Sequence, residues 1–161
     1  MAENPRAEAF SNARHRFENL FGSTGDPTEL NEGVCDILNT ELPWHSWVGI
    51  YLVEGNDLVL DAWRGPEATE HTRIPIGYGL CGYAAKHAES IVVDDVSKDD
   101  RYLQCFGYTK SEVVVPIMHD GEVLGEIDVD GTEIGAFDDD DRVLLEEVAG
   151  RLGERLIASK K

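Results

Sequence analysis

With 161 residues, 42% of them apolar, the chain is long enough for one domain with a substantial core. Its formal net charge of −18, from 32 acidic against 14 basic residues, argues against nucleic acid and anionic lipid as partners, since phosphate recognition needs clustered Lys and Arg. No apolar run reaches the roughly 18 residues of a membrane span and no apolar leader follows Met1, so a cytoplasmic protein with no membrane partner is expected.

The first helix is predicted over residues 7–21, where Phe10, Ala13, Phe17 and Leu20 recur at helical spacing. A second begins at Asp26, which can N-cap it. Pro27 suits its first turn and Glu29 would complete a capping box. Leu30, Val34, Ile37 and Leu38 form its buried stripe, with Cys35 at the edge as a packed thiol.

The apolar period then falls to two. Ser46–Val53 and Leu58–Trp63 read as strands about the turn at residues 54–57, and Thr72–Ile76 as a short strand. A helix over Leu80–His87, a strand over Ser90–Val93 and a loop from Asp94 to about Lys110 follow. Glu112–Ile117 and Glu122–Asp130 form a hairpin about His119-Asp120-Gly121. Asp138 caps the last helix, whose buried face is Leu144, Leu145, Val148, Leu152 and Leu156. Asp139, Asp140 and Asp141 favour the positive end of its dipole and need no other function.

This order predicts an α+β fold: a central, mostly antiparallel sheet with the terminal helices on one face. The other face is free to form a ligand pocket, closed by the loop at 94–110. One domain is expected over residues 1–161, with its core at about 24–157. Periodic apolar segments exclude disorder as the meaning of the charge. An acidic surface suited to a salt-rich cytoplasm, a halophilic adaptation, accounts for it better.

Gly77-Tyr78-Gly79-Leu80-Cys81-Gly82 matches the G-x-G-x-x-G pattern of dinucleotide sites. The strand before it is short and carries Pro75, and no further βαβ units follow. The glycines are therefore read as serving a tight turn and close backbone packing. The helix N-terminus behind them would lower the pKa of Cys81. Three cysteines, Cys35, Cys81 and Cys105, show no C-x-x-C and no zinc spacing, so neither a disulfide framework nor a bound metal is expected.

Glu126, Asp128 and Asp130 alternate along one strand and share a face, where like charges repel. A bound ammonium group would relieve Asp128 and Asp130. A solvated face in an acid-rich chain explains them as well, and for Glu126 the solvated face is the preferred reading. Glu112 begins the neighbouring strand and can reach the same pocket. Cys105 lies in a loop, Cys105-Phe106-Gly107-Tyr108, where core packing explains a thiol less well. There it suits attack by sulfur while a carboxylic acid donates a proton, with Cys81 as its resolving partner.

Three phrases resemble a known family: residues 73–82 (Arg-Ile-Pro-Ile-Gly-Tyr-Gly-Leu-Cys-Gly), Cys105 ahead of residues 111–116 (Ser-Glu-Val-Val-Val-Pro), and residues 125–130 (Gly-Glu-Ile-Asp-Val-Asp). From about Trp44 to Leu152 the chain resembles a GAF domain, and these phrases are similar to free methionine-(R)-sulfoxide reductases. The resemblance implies that Cys105 attacks the sulfoxide sulfur. Glu112, Asp128 and Asp130 would hold the amino group and supply protons, with Trp47 a pocket wall. It also implies a sulfenic acid on Cys105, resolved by a second thiol and recycled by an external thioredoxin-like reductant, with no bound cofactor. A homodimer is implied in the same way. The family often has a third cysteine just before the Arg-Ile-Pro phrase, where this chain has His71, so resolution falls to Cys81 or an external thiol. The competing readings are a non-enzymatic GAF sensor of a small effector and an interaction-only domain with packed thiols.

Overall fold

The computed structural model describes residues 5–104 and 106–159. Helix α1 spans Pro5–Ser23 and buries Phe10, Ala13, Phe17 and Phe21. Phe21 rather than Leu20 completes the stripe, with the Arg151 guanidinium stacked over its ring at 4.4 Å. Helix α2 spans Pro27–Glu41. Asp26 occupies its N-cap position, but its side chain makes no capping bond. The Thr24 hydroxyl replaces the expected capping box: it accepts from the Asp26 N–H at 3.1 Å and donates to Glu29 at 2.5 Å. A hydroxyl relay thus satisfies the donor that Glu29 was expected to reach directly.

The strands are β1 (Trp47–Glu54), β2 (Asp57–Arg64), β3 (Arg73–Pro75), β4 (Ile91–Val93), β5 (Ser111–His119) and β6 (Glu122–Gly131). They form one sheet in the order β3-β2-β1-β6-β5-β4, every neighbour antiparallel. Asp120 and Gly121, both with positive φ, make the two-residue turn between β5 and β6 that matches strand twist. Helix α3 (Gly79–His87) lies between β3 and β4, a 3₁₀ turn covers Val96–Lys98, and helix α4 spans Asp139–Ser159. Asp138 Oδ1 accepts from the N–H groups of Asp140 and Asp141, and Asp141 Oδ2 accepts in return from the Asp138 N–H at 3.0 Å. This reciprocal pair caps α4.

The period of two in the strands divides the core. Val48, Ile50, Val113, Val115, Ile117, Ile127 and Val129 face α1, α2 and α4 in the larger apolar cluster, with the expected leucines of α4. Trp47, Tyr51 and Val114 face the other way, under α3, with Leu80, Cys81 and Ala84. The fold is therefore α+β, with the terminal helices on one face, and the second face holds the site. No described helix is long and apolar enough to cross a membrane.

Candidate active site

The three acids of β6 point to the second face. Register sets Glu112 of β5 opposite Asp130, with Trp47, Gly49 and Tyr51 of β1 opposite Asp130, Asp128 and Glu126. All four acids are buried, with Glu126 fully enclosed at 0% exposure. The solvated-face expectation for Glu126 is thus corrected, because α3 lies over this part of the sheet and removes it from water. Thr109, which the sequence did not single out, donates its hydroxyl to Asp130 Oδ2 at 3.0 Å. Asp128 Oδ1, Asp130 Oδ1 and both Glu126 oxygens are buried without a hydrogen-bond partner, and the Cys81 thiol lies alongside Glu126 without completing a bond to it.

Burial dictates the electrostatics. It pushes Glu126 and Asp130 well above the usual carboxylate range, and the nearby Asp128 charge adds to both. Asp128 is also raised by burial, although bonds from Glu112 and Cys81 oppose the shift. The Cys81 thiol is raised by burial first and then by Asp128, Glu126 and Glu112. The expected lowering by the α3 N-terminus is overruled, because desolvation and three carboxyls outweigh one helix end. Cys35 is a different case. It is enclosed in the helix-side core, and burial holds it at about 12.

Cys81 reaches the acids through the glycine phrase. Gly77 and Gly79 take positive φ, and a Cβ on Gly82 would come within 2.7 Å of the Pro75 carbonyl oxygen. These glycines let α3 turn tightly onto the sheet, as read from the sequence, and with every strand pair antiparallel the dinucleotide fold is absent. Cys81 Sγ and one carboxylate oxygen each of Glu112 and Asp128 lie within 4.8 Å of one another. They line a cavity of about 10 Å³ with Ile74, Leu80 and Leu103. That is room for about one water. A neighbouring cleft of about 280 Å³ shares Tyr78, Gly79 and Leu103 with it.

Trp47 belongs to this face but not to the cavity wall. Its indole stacks with Trp63 at 6.4 Å, meets Phe106 at 5.7 Å, and donates to the Glu67 carbonyl at 3.1 Å. Gly49 and Gly65 make room for it: a Cβ on either would come within 2.4 Å of the ring. Gly49→Ala is expected to cost about 1–3 kcal/mol through overpacking, read as a lower urea midpoint at unchanged slope. The carbonyl of His71 accepts from the Tyr51 hydroxyl at 2.8 Å. The expected nucleophile, Cys105, lies outside the described residues. On either side of it in sequence, Leu103 lines the cavity and Phe106 packs on Trp47.

This pairing of helix-covered sheet and buried acids has relatives. The GAF domain family profile matches residues 24–156. The chain belongs to the GAF domain family. A free methionine-R-sulfoxide reductase of Saccharomyces cerevisiae is 38% identical over 130 residues, covering 72% of this chain and 71% of that protein. One from Escherichia coli is 33% identical over 114 residues, covering 71% of this chain and 67% of that protein. The X-ray structure of the free methionine-R-sulfoxide reductase of Neisseria meningitidis in complex with its substrate superposes with a TM-score of 0.89. It is 32% identical and covers 99% of this GAF chain and 95% of its own.

Proposed function

We propose that this GAF domain reduces free methionine-R-sulfoxide to methionine. The observation that carries the reading is the buried carboxyl floor, Glu112, Asp128 and Asp130, beside a thiol in a partly apolar cavity. An amino acid's ammonium group relieves the crowding of these acids. The apolar wall of Ile74, Leu80 and Leu103 suits a thioether chain, and displacement of Leu103 joins the small cavity to the adjoining cleft and admits a substrate of that size. Acids raised by burial retain protons that the sulfoxide oxygen needs.

In the proposed cycle Cys105 sulfur attacks the sulfoxide sulfur and the oxygen is protonated from the carboxyl floor. The oxygen passes to Cys105, which becomes a sulfenic acid as methionine leaves with its sulfur reduced by two electrons. The Cys81 thiol attacks the sulfenic sulfur, a disulfide forms and water departs. A thioredoxin-like dithiol then restores both thiols. With its pKa raised, Cys81 needs an adjacent carboxylate to take its proton, and Asp128, ionised once the floor has protonated the sulfoxide oxygen, is the acid beside it that acts on it most strongly.

The test is turnover of the free R-epimer with dithiothreitol, at high salt to screen the acidic surface. Steady release of methionine from the R- but not the S-epimer is expected. Without reductant, a single burst should leave a disulfide between Cys105 and Cys81 by peptide mapping. Absence of methionine from folded, reduced protein would overturn the reductase reading in favour of a GAF module that binds a small effector.

A further inference from the structure

In the reductase reading the carboxyls hold the ammonium group and the thiol among them acts only after methionine has left. Cys81 comes from α3, Glu112 from β5 and Asp128 from β6, all buried, with their donor atoms within 4.8 Å of one another. Tetrahedral zinc sets its ligand atoms roughly 3.3–3.7 Å apart at ordinary zinc–oxygen and zinc–sulfur distances. Closing the gap therefore takes shifts of about an ångström in side chains that already line one cavity. Asp128 lines that cavity, and its enclosed Oδ1 has no hydrogen-bond partner.

We infer that Cys81, Glu112 and Asp128 form a binding site for a borderline-soft divalent cation, zinc in particular. Sulfur in the donor set selects zinc or cobalt over magnesium or calcium, which prefer oxygen alone. Three protein donors leave the fourth position open, as in zinc sites that keep an exchangeable ligand. Charge favours the cation, since it stands where several buried acids press on one another. The metal displaces the thiol proton, so binding releases protons and tightens as pH rises. Sequence spacing hides the site because each donor comes from a different element. One consequence rests on the reductase reading: metal and substrate ammonium compete for Asp128, and metal-bound Cys81 is withdrawn from resolution, so zinc inhibits turnover.

Cobalt is the probe, because its thiolate charge-transfer absorption reports sulfur ligation without any activity measurement. Titrated into the reduced full chain with excess magnesium and high salt to occupy surface carboxylates, Co2+ is expected to give a saturable band that Zn2+ abolishes. Cys81→Ser should remove the band and weaken binding by at least about tenfold. Asp128→Asn should weaken it by a comparable factor, while Cys105→Ser keeps the band. Zinc-edge X-ray absorption of the parent, which should show one sulfur among lighter ligands, needs no variant to fold. Absence of the band, its persistence in Cys81→Ser, or a zinc shell without sulfur would overturn the site. None of these outcomes depends on whether the chain reduces sulfoxide.

Discussion

Asp128→Asn is expected to cost roughly 10²–10³-fold in kcat/KM and, in the same molecule, to raise thermal stability. The loss follows from removing the charge that pairs with a buried ammonium, where truncating one partner costs about 2–5 kcal/mol. The gain has the opposite origin. Asp128 is buried, its Oδ1 accepts nothing, and two further acids raised by burial share its strand face. Ionising it at neutral pH works against the fold. A neutral amide of the same shape removes that penalty, on the order of 2 kcal/mol, or about 4–8 °C in Tm for a chain of this size.

The pH dependence separates this account from ordinary repacking. The folded pKa of Asp128 is raised, so its contribution to stability is fully present below the unfolded value of about 3.9. It is lost as pH rises through the folded value. The variant carries no such loss. The gap in Tm between variant and parent should therefore be small near pH 4 and widen towards pH 8 in thermal melts. A variant less stable than the parent at every pH would show that the carboxylate is a structural acceptor. Retention of activity within tenfold would remove Asp128 from substrate binding. Sites that pay in stability for function are where stabilising substitutions are found at the expense of activity.

The fold was legible because its signals are local. Val113, Val115 and Ile117 alternate with Glu112 and Val114 as strand geometry demands, and the leucines of α4 keep helical spacing, so both faces of the sheet could be assigned from periodicity. The site was legible only in part. That Glu126, Asp128 and Asp130 share a face follows from the period of two; whether the face is wet does not. In a chain with 32 acidic residues an alternating acidic strand reads as solvated. What buries Glu126 is α3, distant in sequence and held down by three glycines whose role is backbone geometry. Thr109 escaped notice for the same reason: a loop threonine becomes a partner of Asp130 only when the hairpin closes beside it. The cap at Asp138 was readable, but the burial of Asp141 was not, since an aspartate in a helical first turn is by default exposed.

Asp141→Ala is expected to destabilise the fold by about 3–5 kcal/mol while leaving turnover by the folded fraction unchanged. Asp141 lies on the helix side of the sheet, away from the carboxyl floor, and is fully buried. Its Oδ1 accepts from Trp44 Nε1 at 2.7 Å and meets His45 Nε2 at 2.7 Å. Its Oδ2 accepts from the Asp138 N–H at 3.0 Å and faces Arg6 Nη1 at 3.5 Å. One carboxylate thus ties α1, the segment before β1 and the start of α4 together, and its removal strands several buried donors at once. Burial alone would raise the pKa of Asp141, but the hydrogen bonds from His45, the Asp138 N–H and Trp44 outweigh it and hold the group below its usual value. Stability from Asp141 is therefore present above about pH 4 and lost as pH falls through the folded value. Burial lowers His45 despite Asp141, so the imidazole is neutral and donates from Nε2. It adds a second acid-side loss that begins below about pH 6.5, where only the unfolded chain takes up the proton. Urea unfolding from pH 8 to pH 3 should show the full deficit of the variant at neutral pH, shrinking below about pH 4 as the parent loses its own carboxylate. A deficit under 1 kcal/mol at neutral pH would mean that water replaces the carboxylate among these donors and that the three segments are held by their apolar contacts alone.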